Sequence, residues 1–288
     1  MKFGRVLTAM VTPFDNNGKL DLKQTSVLIE YLLGNGTEGL VVAGTTGESP
    51  TMTTDEKIQL FKHVVKVVNK RVPVIAGTGN NHTSASIILT KEAEACGVDA
   101  IMLVTPYYNK PSQQGMFEHF AAIAKETDLP VMLYNIPGRS VVNMTAETII
   151  NLSAIDNIVS VKEASGDLDQ VSEIIEHTRD DFSVYSGDDS STIPMLAVGA
   201  DGVISVASHV IGNEMNTMVN HFFDGRINEA ASMHRMLLPT MNGLFMAPNP
   251  SPVKAALQMK GIETGSVRLP LLRLTDEEMA KLKILIEG

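Results

Sequence analysis

The sequence predicts an α/β chain folded as a closed (β/α)₈ TIM-type barrel with a C-terminal helical appendage. Three observations lead there. Apolar runs of strand length alternate eight times with segments of helical spacing between Val6 and Phe223. Most of these runs are continuously apolar, which suits parallel strands covered on both faces. Finally, Gly36-Thr37-Glu38-Gly39, Gly97-Val98-Asp99-Ala100 and Gly199-Ala200-Asp201-Gly202 each precede such a run. Each reads as a glycine helix stop, a turn and a new strand. Alternation alone leaves a doubly wound open sheet as the alternative.

In chain order, residues 6–12 read as a strand closed by Pro13. Residues 22–33 have helical spacing, with Leu22, Leu28, Ile29, Leu32 and Leu33 on one side. Residues 40–43 are a strand, and 54–68 a helix opened by Thr53-Thr54-Asp55-Glu56. The pairs that follow are strand 74–76 with helix 83–95, strand 100–104 with helix 113–125, and strand 131–135 with a short helix 146–152 after Thr145. Then come strand 158–162 with helix 168–177, strand 182–186 with helix 191–198, and strand 202–206 with helix 214–223. Beyond Gly225 the strand signal stops. Helices are expected at 229–238, 252–259 and 276–286, separated by loops containing Pro239, Asn242, Gly243, Pro248, Asn249 and Pro250. The expected division is a barrel domain over residues 1–224 and a three-helix domain over 225–288.

Composition narrows the function classes. The chain has 288 residues, enough for one barrel, and 44% hydrophobic with 19% charged residues is ordinary for a soluble globular protein. A formal charge of -10 argues against nucleic acid and anionic membranes as partners, though not against a small anion at a local basic site. The single cysteine, Cys96, rules out an intrachain disulfide and reads as an inert thiol at a helix end. No apolar run reaches membrane-spanning length, and the apolar stretch near Met1–Met10 ends too early, at Pro13 and Asp15, for a signal peptide. A cytoplasmic location is expected. The sixteen methionines, many of them in the C-terminal half, read as gap-fillers.

In such a barrel chemistry gathers at the C-terminal ends of the strands. The run Ile158-Val159-Ser160-Val161-Lys162-Glu163 ends with a lysine where apolar strands converge. Its amine reads either as an imine-forming nucleophile or as a stem that packs with its head in water. Other strand ends favour the first. Gly44-Thr45-Thr46-Gly47-Glu48-Ser49 offers N–H and hydroxyl donors to a small carboxylate, or is simply a tight turn, and lacks the lysine of a Walker loop. Tyr107 and Tyr108 stand between prolines on a stiff, partly exposed segment. Tyr134, one unit before Lys162, is expected on the neighbouring strand, where its hydroxyl can relay protons. Arg139 offers a fork for a second carboxylate. The seven histidines (His63, His82, His119, His177, His209, His221, His234) show no ligand spacing, so no metal site is expected. No nucleophile elbow or dinucleotide fingerprint is present.

Together these motifs resemble the pyruvate-dependent class I aldolase family that contains the dihydrodipicolinate synthases and N-acetylneuraminate lyases. The resemblance covers essentially the whole chain. It implies that Lys162 forms the Schiff base with pyruvate, that Thr45 and Thr46 bind its carboxylate, and that Thr45, Tyr134 and Tyr108 form a proton relay. Tyr108 would come from a neighbouring subunit, Gly187 and Ile204 would line the pyruvate pocket, and no cofactor is implied. Thr45-Thr46 and Pro137-Gly138-Arg139 resemble the synthase branch, which condenses pyruvate with aspartate semialdehyde; a sister aldolase acting on a sugar acid such as N-acetylneuraminate or 2-keto-3-deoxygluconate is the alternative. A non-catalytic keto-acid sensor is the third reading. A homotetramer built as a dimer of dimers is implied. Lysine-inhibited members carry histidine and glutamate near the Tyr107 position; here Thr54, Lys57 and Ala85 stand there while Ser49, Asn81 and Tyr107 remain. The resemblance thus implies a degenerate lysine site and weak or absent inhibition.

Overall fold

The computed structural model describes residues 3–287; Met1 and Lys2 of the expected barrel domain and Gly288 of the expected three-helix domain lie outside them. Among the described residues, β1 (Val6–Ala9), β2 (Gly39–Val42), β3 (Val74–Gly77), β4 (Ala100–Val104), β5 (Val131–Asn135), β6 (Ile158–Glu163), β7 (Ser183–Ser186) and β8 (Gly202–Ser205) form one closed parallel barrel in sequence order. It closes where Leu7 of β1 pairs with Ile204 of β8. The open-sheet alternative is therefore excluded.

The continuous apolar character of the strands has a simple cause. Successive side chains point to opposite faces, and here both faces are dry. Leu7, Val41, Ile75, Met102, Met132 and Ile204 fill the barrel interior. Their neighbours Val6, Leu40, Val74, Ile101, Leu133 and Val203 pack outward against the helices.

The helices are α1 (Leu22–Gly34), α2 (Thr54–Val68), α3 (Thr83–Ala95), α4 (Gln113–Ala124), α5 (Pro137–Ser140), α6 (Ala146–Ser153), α7 (Leu168–His177), α8 (Thr192–Ala197) and α9 (Ser208–Phe223), followed by α10 (Ile227–Gly243), α11 (Ser251–Met259) and α12 (Asp276–Glu287). Their starts follow local chemistry. Asp21, Ser112, Thr145 and Asp167 cap α1, α4, α6 and α7 through side-chain oxygens. Thr53 and Glu56 form a reciprocal capping box on α2, a device worth about 1 kcal/mol. Cys96 sits at the C-terminal end of α3, half-buried, its thiol pushed up by burial.

Several boundaries differ from expectation. α9 begins at Ser208, six residues before Glu214, because the chain turns into a helix directly after β8 and then kinks at Ile211 (φ -130°). Apolar spacing restarts only after the kink, which hid the first turn. α10 continues through Pro239 to Gly243, where a loop was expected. Pro239 is exposed, so the carbonyl it leaves unbonded faces water and the helix is not broken. The short α5 and single turns at Ser49–Thr51 and Asp189–Ser191 add to the expected helices, only Ser191 of these residues falling inside an expected one. Among the described residues no helix is long and apolar enough to cross a membrane.

The barrel seam allows no side chain at Gly202, where an added Cβ would lie 2.1 Å from the Arg5 carbonyl oxygen. Gly202→Ala is expected to cost about 2–4 kcal/mol by forcing β8 away from β1. Urea unfolding of the variant checks this; a loss below about 0.5 kcal/mol would show that the seam yields freely.

Candidate active site

Period-two alternation decides which way Lys162 faces. Val161 packs outward with the helices, so Lys162 turns into the barrel. It pairs in register with Tyr134 of β5 on one side and Tyr185 of β7 on the other. Its Nζ lies 4.4 Å from the centre of the Tyr134 ring, and the residue is only 5% exposed. Burial draws its pKa down to about 8; Asp189 opposes the shift, Arg139 adds to it and Asp188 opposes it. At pH ~7.5 about a quarter of such amines are neutral, against about one in a thousand for a free lysine. Tyr134 moves the other way, pushed up to about 12 by burial, with Arg139 and a hydrogen bond to Thr45 resisting. The phenol thus keeps its proton while the amine readily loses one.

Thr45 and Thr46 lie on the loop after β2. That loop is drawn tight by hydrogen bonds from Glu48 N–H to Thr45 O (3.1 Å), Ser49 N–H to Gly44 O (3.3 Å) and the Thr12 hydroxyl to Gly47 O (2.7 Å). Thr46 Oγ1 accepts a hydrogen bond from Asn249 Nδ2 at 3.0 Å. Thr45, Thr46, Tyr134, Arg139, Lys162 and Gly187 all line one cavity of about 380 Å³, together with Asp188, Phe245 and Asn249. Gly187 is close beside the amine: an added Cβ would sit 2.7 Å from Ala164 Cβ and 3.2 Å from Lys162 Cε. A second cavity of about 450 Å³ shares Thr45, Tyr134 and Arg139 and adds Ser49, Thr54, Lys57 and Tyr107.

The remaining expected residues are placed differently. Ile204 lies within the inner core, 1% exposed, rather than on the wall of either cavity. Tyr108 stands apart from Lys162 in this chain. It is 88% exposed, on a turn where Tyr108 and Lys110 both take left-handed backbone (φ 73° and 48°). Asn81 does not line the larger cavity but braces it, its Nδ2 donating to Tyr107 O at 3.0 Å.

Asp188, Asp189 and Asn249 were not singled out from sequence. The Asp189 carboxylate is buried and accepts from Val206 N–H (3.0 Å) and Ala207 N–H (2.9 Å), tying the loop after β7 to the end of β8. Burial pushes its pKa up. Two adjacent acids after the β7 run were a readable signal. Asn249 gave none, since its partner is 203 residues away. His209 is structural: its Nε2 accepts from Val11 N–H and its Nδ1 donates to Val206 O, so it is neutral, with a pKa drawn down to about 4 by burial.

Comparison with known proteins agrees with this geometry. The model of the dihydrodipicolinate synthetase family matches residues 2–288. The chain is 64% identical over 287 residues to 4-hydroxy-tetrahydrodipicolinate synthase 2 of Halalkalibacterium halodurans, covering 100% of this chain and 98% of that one. It is 61% identical over 283 residues to the 4-hydroxy-tetrahydrodipicolinate synthase of Bacillus subtilis, covering 98% of each. A crystal structure of dihydrodipicolinate synthase from Bacillus anthracis superposes with a TM-score of 0.99 at 59% identity, covering 100% of this chain and 99% of that one. One from Cyanidioschyzon merolae with lysine bound gives 0.97 at 46%, covering 99% and 97%.

The depressed amine can be tested without any substrate. Labelling of Lys162 by a small amine-selective reagent should titrate with a midpoint near pH ~8, against about 10.4 for a surface lysine. Peptide mapping across that range reads the midpoint directly. A value above about 10 would mean that water reaches the amine.

Proposed function

Because the chain belongs to the dihydrodipicolinate synthetase family, we propose that it catalyses the 4-hydroxy-tetrahydrodipicolinate synthase reaction, condensing pyruvate with L-aspartate 4-semialdehyde in lysine and diaminopimelate biosynthesis. The observation that carries this reading is the in-register pair of Lys162 and Tyr134 beside the Thr45-Thr46 loop in one cavity. The relatives' names favour the synthase over a sugar-acid aldolase.

The chemistry follows from the geometry. The neutral Lys162 amine attacks C2 of pyruvate, whose carboxylate rests on the Thr45 and Thr46 donors. Tyr134, its proton retained by burial, gives a proton to the departing hydroxyl, and water leaves to form the imine. The imine withdraws electrons, so the methyl group loses a proton to the Tyr134 oxygen that gave one up in the preceding step, and becomes an enamine carbon. That carbon attacks the aldehyde of aspartate semialdehyde, whose carboxylate Arg139 holds at the cavity mouth. The amine of the adduct then attacks C2, closes the ring and expels Lys162. Lowering the amine's pKa from about 10.4 to about 8 removes roughly 3 of the 4 kcal/mol that deprotonation otherwise costs at pH ~7.5. The exposed Tyr108 fits a residue that completes a neighbouring subunit's relay, so the working enzyme is a homo-oligomer, read as a dimer of dimers. In this reading the chain divides into a barrel over residues 1–224 and an appendage over 225–288, and it works in the cytoplasm.

Borohydride reduction in the presence of pyruvate should attach the three-carbon unit to Lys162 alone, and Lys162→Ala should abolish both the adduct and turnover while leaving the fold intact. Full turnover by a folded Lys162→Ala variant would end the mechanism.

The larger cavity bears on regulation. Lys57 lines it as a cation whose pKa burial draws down. A lysine ligand, itself cationic at its side chain, meets no carboxylate there among the lining residues. Added L-lysine is expected to leave the rate unchanged to millimolar levels. A titration showing strong inhibition below millimolar would contradict it.

A further inference from the structure

The loop that offers Thr45 and Thr46 has supports beyond its own hydrogen bonds. Ala43 and Glu48, at its two ends, both take left-handed backbone (φ 51° and 57°), a conformation that residues with a Cβ adopt only under constraint. Part of the constraint comes from the far end of the chain. Lys254 Nζ lies 2.7 Å from a Glu48 carboxylate oxygen, with the two side chains 3% and 1% exposed. The other Glu48 oxygen accepts the Arg268 N–H at 2.8 Å. Lys254 also donates to Ser266 O at 3.0 Å and sits 4.5 Å from the centre of the Phe14 ring. Asn249, two residues before α11, reaches Thr46 itself.

Two physical arguments make this pair more than a brace for stability. Burying an ion pair gains little net stability over a neutral pair of the same shape, because both ions lose water. A carboxylate within three residues of a site for another carboxylate would also repel that ligand unless a cation balanced it. Lys254 supplies the balance, and burial lowers its pKa while Glu48 holds it up.

Resting on the synthase reading above, we propose that Glu48 and Lys254 are positioning residues for the pyruvate carboxylate: their buried ion pair fixes and neutralises the Thr45-Thr46 loop from the C-terminal helices, making the appendage part of the substrate site. Neither residue touches the reacting atoms. Their effect is to set where the two hydroxyls point and what charge stands behind them.

The double variant Glu48→Gln/Lys254→Met removes both charges and leaves no buried ion unpaired, so it is expected to fold. Its KM for pyruvate should rise about tenfold, while the KM for aspartate semialdehyde and kcat at saturation change less than about threefold. Glu30→Gln is the reference. It breaks the Glu30–Arg71 ion pair, which has no bond to Glu48, Lys254 or the C-terminal segment, and should leave the pyruvate KM unmoved. A folded double variant with wild-type pyruvate KM, or with both KM values raised equally, overturns the proposal. Should the double variant fail to fold, Lys254→Arg carries the test. Its wider head keeps the charge but displaces the loop, and an unchanged pyruvate KM there also overturns the proposal. Hydride trapping on the wild-type enzyme separates the two ideas: no adduct at Lys162 sinks the synthase reading, whereas normal trapping with unmoved variant constants sinks only the positioning role.

Discussion

The constraint on which the structure turns is that one lysine amine must sit away from water and still be able to exchange its proton. A parallel barrel meets this requirement through register. Because β5 and β6 pair in step, Tyr134 and Lys162 face inward at the same level, and the ring lies against the amine. The apolar interior lowers the amine's proton affinity. Asp189 and Asp188 limit that effect, so the nitrogen is drawn into the physiological range and not far below it. The absence of a side chain at Gly187 lets the loop after β7 pack directly against Ala164 and the Lys162 stem.

The same burial has opposite consequences for the two groups. It disfavours the charged form of each, so the amine becomes a better base-free nucleophile and the phenol a more reluctant acid. Their separation in proton affinity is what allows one to attack while the other donates.

Much of this was legible in the sequence, for identifiable reasons. Strands buried on both faces read as unbroken apolar runs, so β4 and β5 were placed at their observed bounds. Helices with side-chain caps were equally readable, as Thr53 and Asp167 show. The strand-end motifs pointed to Thr45, Tyr134, Arg139 and Lys162, which share one cavity. What was illegible depends on distance or on context. The kink at Ile211 concealed the start of α9, and the exposure of Pro239 allowed a helix where proline argued for a loop. Asn249 falls in an expected loop and Lys254 in an expected helix of the C-terminal domain, and neither periodicity nor local turn chemistry reports a partner some two hundred residues earlier.

That separation matters while the protein is being made. A ribosome releases the loop bearing Thr45 early and the residues that bear on it last. A nascent chain halted after β8 already holds Lys162, Tyr134 and both threonines, yet has none of Asn249, Lys254 or Arg268 to contact the loop. Translation therefore delivers the nucleophile first and its anion cradle's outer supports only at the end.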